Sequence, residues 1–340
     1  MPHAPQATVE VIRGAVVEAA HPFSAVTWGP DAVAGRVGPP MQTPWRSAAK
    51  PWQLEASLLA LAPAERDAML ANSRWLAIAA ASHSATPAHV VLVEELGARF
   101  GVRPDDLRCG VHRPMDLDAA DALLRGGEAF TCLHNNCSGK HTMMVAASRA
   151  LGADADYLPE AHPLQRRIAR LVAEVCAETP ELSIDGCGVP TFTVSLASMA
   201  RSYQRLALAM ADAPTSVRGR IGLAMAAHPE IVAGEGRLDV DLCRLATEPM
   251  AAKIGALGVF CIALPRRRLG FAVKVHSGST EALPTAVVAA LRALVPGVIP
   301  DALPGWRHDE IRNVAGRLVG SYRARNVDRL DPLVRRGQSA

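Results

Sequence analysis

The chain is 340 residues long, 49% hydrophobic and 20% charged, which excludes a disordered polymer and leaves room for one large or two ordinary domains. Its net charge of +3 is too small, and its basic runs Arg266-Arg267-Arg268 and Arg335-Arg336 are too short, to argue for nucleic acid. No apolar segment reaches the roughly 18–20 residues of a membrane span; 286–295 comes nearest, and Arg292 interrupts it. Seven scattered cysteines, and no basic-then-apolar start in residues 1–6, point to a reducing, cytoplasmic setting without a disulfide framework.

In chain order, 9–18 and 24–28 read as strands, and the turn Trp28-Gly29-Pro30-Asp31 leads to a further strand over 32–37. Helical spacing follows over 52–61, which ends before Pro63, and over 64–72. The apolar run 75–81 fits a buried strand or a buried helix equally. An amphipathic helix over 87–100 stops at Gly101. Further helices are expected over 116–125, 140–151, 164–176, 196–210, 218–228 and 240–250, with Cys187 in a tight turn between Gly186 and Gly188. Segments 258–264 and 269–275 read as paired strands joined at 266–268, and 284–294 as a helix. A basic tail over 327–340 is expected to fray. With no repeat or linker over 1–340, the order of strands, many helices, strands and a helix suggests an α+β or mixed α/β layout around one sheet.

Four constellations could carry chemistry. Ser47 and Lys50 stand three residues apart, just before Pro51, which disfavours helix in the residue before it but is welcome at a helix start. A tight turn feeding a helix is therefore expected, and the positive helix end pushes the Lys50 amine toward the neutral form that a general base requires. A surface serine and lysine are the plain alternative. Ser82-His83-Ser84 follows a buried run at the edge of the core, though Ser84 or Thr86 capping the next helix explains it as well. Lys274, between Val273 and Val275, faces away from its neighbours and is either a solvated strand residue or a second catalytic amine. The densest cluster is Cys132-Leu133-His134-Asn135-Asn136-Cys137-Ser138-Gly139-Lys140-His141. Cys137 and His141 have metal-ligand spacing and Cys187 could join them on zinc; an ordinary loop with cysteines is the other reading.

Taken together these stretches resemble the class 3 (Rhizobium etli-type, thermolabile or inducible) L-asparaginases. The likeness rests on Arg46-Ser47-Ala48-Ala49-Lys50-Pro51, Ala81-Ser82-His83-Ser84 with His89, Arg108-Cys109-Gly110, Asn136-Cys137-Ser138-Gly139-Lys140-His141 and Asp185-Gly186-Cys187 with Pro190. It continues in His228-Pro229-Glu230-Ile231-Val232-Ala233-Gly234-Glu235-Gly236-Arg237, Lys253 with Gly255-Ala256, Lys274, and Asn313 with Gly316 and Val319-Gly320.

The resemblance implies a serine β-lactamase/glutaminase-like fold, with a central antiparallel sheet flanked by helices, assembled as a homodimer. It implies hydrolysis of L-asparagine to L-aspartate and ammonia by two Ser–Lys pairs, Ser47 with Lys50 and Ser82 with Lys274. It also implies one zinc ion held by Cys137, Lys140 and Cys187, which moves His141 to the substrate, with Asp185 pairing the α-ammonium and Arg46 the carboxylate. This chain has Thr86 and Leu257 where the family usually carries acidic residues. A penicillin-recognising serine hydrolase would also use Ser-x-x-Lys, but Lys274-Val275-His276 does not supply its Lys-Thr-Gly strand. A non-catalytic zinc- or amino-acid-binding homologue is the alternative from another class.

Overall fold

A computed structural model describes residues 6–328. The strands are β1 (Thr8–Arg13), β2 (Val16–Trp28), β3 (Val33–Val37), β4 (Gln42–Pro44), β5 (Glu181–Ile184) and β6 (Pro190–Ser195). They continue with β7 (Ala251–Gly255), β8 (Val259–Leu264), β9 (Leu269–Val275), β10 (Glu310–Arg312) and β11 (Leu318–Arg325). The helices are α1 (Lys50–Leu58), α2 (Pro63–Leu70), α3 (Ser73–Ala79), α4 (Pro87–Phe100), α5 (Leu117–Gly126) and α6 (Ser138–Ala150). They continue with α7 (Pro163–Cys176), α8 (Leu196–Asp212), α9 (Val217–Ala227), α10 (Pro229–Val232), α11 (Leu238–Leu245) and α12 (Leu283–Leu294).

The main sheet is antiparallel throughout, in the order β10-β11-β1-β2-β9-β8-β7, with β3 also paired to β2. The long β2 changes partners at Pro22. Its first half pairs with β1 as far as Thr8↔Pro22, and its second half pairs with β9 from Phe23↔Val275. Proline has no N–H to give a ladder, so the hand-over falls where it costs least. A small second sheet runs β4-β6-β5.

Period-2 alternation in β8 shows how the sheet separates two cores. Val259, Cys261 and Ala263 face the helical lobe, while Phe260, Ile262 and Leu264 face α12 with Phe271 and Val273. Each large side chain buried this way contributes about 1.5–3 kcal/mol. On the lobe side α8 presses onto β9 so closely that a Cβ at Gly270 would stand 1.9 Å from the Ala200 carbonyl oxygen. Antiparallel sheet flanked by helices is thus the observed architecture.

Several boundaries differ from expectation. Residues 9–18 are not one strand, because Gly14 takes φ +58 and folds the segment into a hairpin closing at Arg13↔Val16. The apolar run at 75–81 is helical as far as Ala79 in α3, which is started by Asn72, whose side chain accepts from the N–H groups of Arg74 and Trp75. The helix expected over 240–250 ends at Leu245, and β7 begins at Ala251. From 329 onward the expected frayed tail lies outside the described residues. Among the described residues no helix is long and apolar enough to cross a membrane.

Candidate active site

Arg46 opens the site at φ +54, uncommon for a residue with a side chain. Its backbone N–H is held by Thr191 Oγ1 at 3.2 Å and its Nε by Asp185 Oδ1 at 2.7 Å. The short 3₁₀ turn Arg46–Ala49 then runs into α1, with Pro51 in the first helical turn as its fixed φ favours. Trp45, Trp52 and Tyr203 pack around this turn with ring centroids 6.4 Å apart, and Tyr203 Oη donates to the Ala48 carbonyl at 2.8 Å. The segment carrying Ser47 and Lys50 is therefore clamped from below.

The Lys50 amine is buried and donates to the carbonyls of Ala81 and Asn136 and to Ser82 Oγ at 2.9 Å. Ser47, half-buried one turn earlier, is not among its partners. Ser82 Oγ also lies 2.9 Å from the amine of Lys253, whose other contact is the Ile254 carbonyl at 3.0 Å. Burial chiefly lowers both lysines. Lys253 falls to about 7, with Asp239 opposing the fall and the charge of Lys50 adding to it. Lys50 is lowered too, with Cys137 opposing and Lys140 adding.

Lys274 does not meet Ser82, contrary to the expected pairing. It stands in the row Lys274↔Val259, whereas Lys253 stands in the row Lys253↔Cys261↔Ala272. Two strand spacings and a two-residue offset separate the lysines by about 12 Å. The Lys274 amine instead ties down the Leu257 carbonyl in the β7–β8 turn. Lys253, which entered the likeness only beside Gly255-Ala256, stands where Lys274 was expected. Its signal was present, since Ala252 and Ile254 flank it just as valines flank Lys274. Asp239 was also missed: it is buried, and its Oδ1 accepts from the Ile254 N–H at 2.8 Å, fixing β7 beside Lys253.

The loop bearing Ser82 is pinned on two sides. Its N–H donates to the Val232 carbonyl at 2.9 Å, and Ser84 Oγ donates to that of Ala233 at 2.8 Å. On the other side His83 Nδ1 accepts from the Ala85 N–H at 3.1 Å. Its Nε2 is thereby left to donate to Ser138 Oγ at 2.8 Å, joining Ser82 to the start of α6. Burial, with His89 and Lys50 nearby, holds His83 far below the usual imidazole range. α6 itself lies against α3, and a Cβ on Gly139 would stand 2.3 Å from the Ile78 carbonyl oxygen.

At that helix start Cys137, Lys140 and Cys187 converge. The Lys140 amine donates to Cys187 Sγ at 3.1 Å, and Cys137 Sγ donates to Asn136 Oδ1 at 3.3 Å. The neighbouring Cys187 thiol chiefly favours the Cys137 thiolate, against burial and with help from the Lys50 and Lys140 charges. Burial disfavours a charged Lys140, but Cys187 and Cys137 outweigh it and hold that amine above its ordinary value. Among the described residues no three His, Cys, Asp or Glu side chains could share a metal, so a metal here depends on Lys140 as third donor. The set suits zinc in kind, with soft sulfur donors, one already favoured as thiolate, and a nitrogen that must give up its proton on binding. His141 stands apart from it. Its Nδ1 contacts Tyr157 Oη at 2.7 Å, and its buried Nε2 has no partner. Burial keeps the ring neutral, with Lys140 and Lys50 adding to the effect.

Thr86 and Leu257, which stand where acids were expected, lie outside this network. Thr86 begins α4 and contacts His89 Nδ1 at 2.6 Å, while the Leu257 side chain is exposed.

A family model described as L-asparaginase II matches residues 9–324. The chain belongs to this family. The solved structure of Mglu, in its native form in the presence of 4.3 M NaCl, is similar with a TM-score of 0.41 and 14% identity. The match covers 83% of this chain and 63% of that one. No curated protein matches the chain.

Proposed function

We propose that this member of the L-asparaginase II family is a class 3 enzyme that hydrolyses L-asparagine to L-aspartate and ammonia through a serine ester. One observation carries the reading: a buried serine hydroxyl, Ser82, held at 2.9 Å by each of two buried lysine amines, Lys50 and Lys253. Two amines around one hydroxyl make a proton relay, and burial brings Lys253 to about 7, where a neutral base is available near physiological pH.

Ser47 makes the attack in this reading, because it is half-buried whereas Ser82 is only 2% exposed behind the lysines. In the resting site Ala81 O, Asn136 O and Ser82 Oγ fill the three donor directions of Lys50. Ser82 passes its proton to neutral Lys253 and takes one from Lys50, which frees a lone pair one turn from Ser47. Lys50 then accepts the Ser47 proton as Oγ bonds to the side-chain amide carbon. The relay runs back to protonate the departing nitrogen, ammonia leaves, and water cleaves the aspartyl ester by the same route.

In this reading Asp185 pairs the substrate ammonium and His141 meets the substrate through its Nε2, which is buried without a partner. Cys137, Lys140 and Cys187 would hold the zinc ion, which when bound supplies a fixed positive charge that orders the pocket wall. A second reading, in which Ser82 attacks directly, draws support from the base already on its oxygen. Stopped-reaction mass spectrometry of wild type with L-asparagine decides between them. An aspartyl adduct on the Ser47 peptide, with no ammonia from Ser47→Ala or Ser82→Ala, is expected. An adduct on Ser82 reverses the roles, and full activity in Ser47→Ala refutes the first.

A further inference from the structure

An amino-acid amide brings an α-carboxylate into the pocket, and Arg46 is already paired with Asp185 at 2.7 Å. Arg237 is in a different position. Its Nη1 donates to the thioether sulfur of Met115 at 3.3 Å, and the same sulfur receives Nδ2 of Asn136 at 3.5 Å. Two strong donors, a guanidinium and a carboxamide, thus converge on one of the weakest acceptors a protein owns. Among the described residues Arg237 makes no ion pair.

This convergence sits on the lip of the Ser82 site. The Asn136 carbonyl accepts from Lys50 Nζ at 3.2 Å. Asp116, next to Met115, donates its N–H to the Ser84 carbonyl at 2.9 Å. The Arg237 N–H bonds the Gly234 carbonyl at 3.3 Å, two residues from the Val232 carbonyl that receives the Ser82 N–H. The Arg237 charge is felt at both Lys253 and His83. Met115 is 41% exposed, so its sulfur can swing aside without opening a core cavity. In L-asparagine three carbon–carbon bonds separate the amide carbon from the carboxylate carbon, which suits a receptor beside the nucleophile rather than a remote one.

We propose that Arg237, assisted by Asn136 Nδ2, receives the substrate α-carboxylate, and that the Met115 sulfur is the placeholder this carboxylate displaces. The proposal rests on the amide-hydrolysis reading and adds the group that selects an α-amino acid over a simple amide. Arg46 then serves to hold Asp185. A guanidinium suits the task because it meets a carboxylate through two parallel N–H bonds, which lysine cannot do.

The test compares L-asparagine with 3-aminopropanamide, the same amide without its α-carboxylate, in wild type, Arg237→Ala and Arg237→Lys. In Arg237→Ala the KM for L-asparagine rises about 10- to 100-fold, as expected for a lost charged hydrogen bond. Its kcat changes far less, and the preference in kcat/KM for L-asparagine over the shorter amide falls toward one. Arg237→Lys recovers part of the preference. A KM within twofold of wild type, or equal losses on both amides, overturns the assignment. Calorimetric binding of L-asparagine to Ser47→Ala, with and without Arg237→Ala, separates the two claims. Tenfold weaker binding without Arg237 upholds the receptor even if wild type releases no ammonia, which would sink only the hydrolysis reading. Equal binding, or none in either variant, overturns the receptor.

Discussion

The pH dependence of turnover follows from the Ser82 relay and can be worked through. Lys253 must be neutral to receive a proton, and burial brings it to about 7. At pH 6 about one tenth of the amine is neutral and at pH 8 about nine tenths. The value of kcat/KM for ammonia release should therefore rise roughly tenfold between these values. Because Lys50 and Lys253 share Ser82, the midpoint belongs to the pair rather than to either residue. Asp239 is the carboxylate whose charge raises Lys253. Asp239→Asn keeps a carbonyl to accept the Ile254 N–H but loses the charge, so the midpoint moves to lower pH and the variant retains relatively more of its maximal rate at pH 6. The measurement is kcat/KM from pH 5.5 to 9 for both proteins. A profile flat through pH 7, or a midpoint that moves upward in Asp239→Asn, refutes the reasoning. Stability should follow the same group. Between about 7 and the ordinary lysine value of 10.5 the unfolded chain holds a proton that the folded chain does not. Stability from this lysine therefore rises with pH across that window.

Gly139→Ala forces a Cβ against the Ile78 backbone, a neighbour that cannot rotate away. A fall in thermal stability, by about 1–3 kcal/mol or more, is expected together with lower activity; an unchanged melting temperature contradicts the close packing of α6 on α3. Protein purified without chelators should carry about one zinc per chain by elemental analysis, and Cys137→Ser and Cys187→Ser should each lose it. Metal-free wild type with both thiols reduced removes zinc from the account.

Some of this was legible in the sequence for local reasons and some could not be. Ser47-x-x-Lys50 before Pro51 marked a turn entering a helix because proline's fixed φ suits a first helical turn, although Lys50 itself is helical at φ −58 and ψ −35, against the usual bias of a residue before proline. Which lysine reaches Ser82 was not local. Lys253 and Lys274 each lie between apolar neighbours on a buried strand, and only the order β7-β8-β9 puts one over the serine and the other about 12 Å away. The pairing of Cys137 with His141 assumed helical geometry from Cys137 onward. Cys137 is the residue before α6, with φ −107 and ψ 1, and in the fold it is the Lys140 amine that reaches Cys187 while His141 turns to Tyr157. The His228–Arg237 block was recognisable, but its work depends on contacts made only after folding. Gly234 at φ +125 leaves no room for a Cβ beside Ser84 Oγ, and Val232 holds the Ser82 N–H. The strands β4, β5, β6, β7, β10 and β11 were not legible: β7, Ala251-Ala252-Lys253-Ile254-Gly255, has little β-branched content, and its pairing with β8 makes it a strand.

The relay of Lys50, Ser82 and Lys253 is most directly tested by ammonia release from L-asparagine in Lys253→Met beside Lys274→Met, with melting temperatures on the same samples. Lys253→Met should lose activity by about 10²- to 10⁴-fold while remaining folded, and Lys274→Met should keep most of it. Activity retained in Lys253→Met and abolished in a folded Lys274→Met would contradict the account.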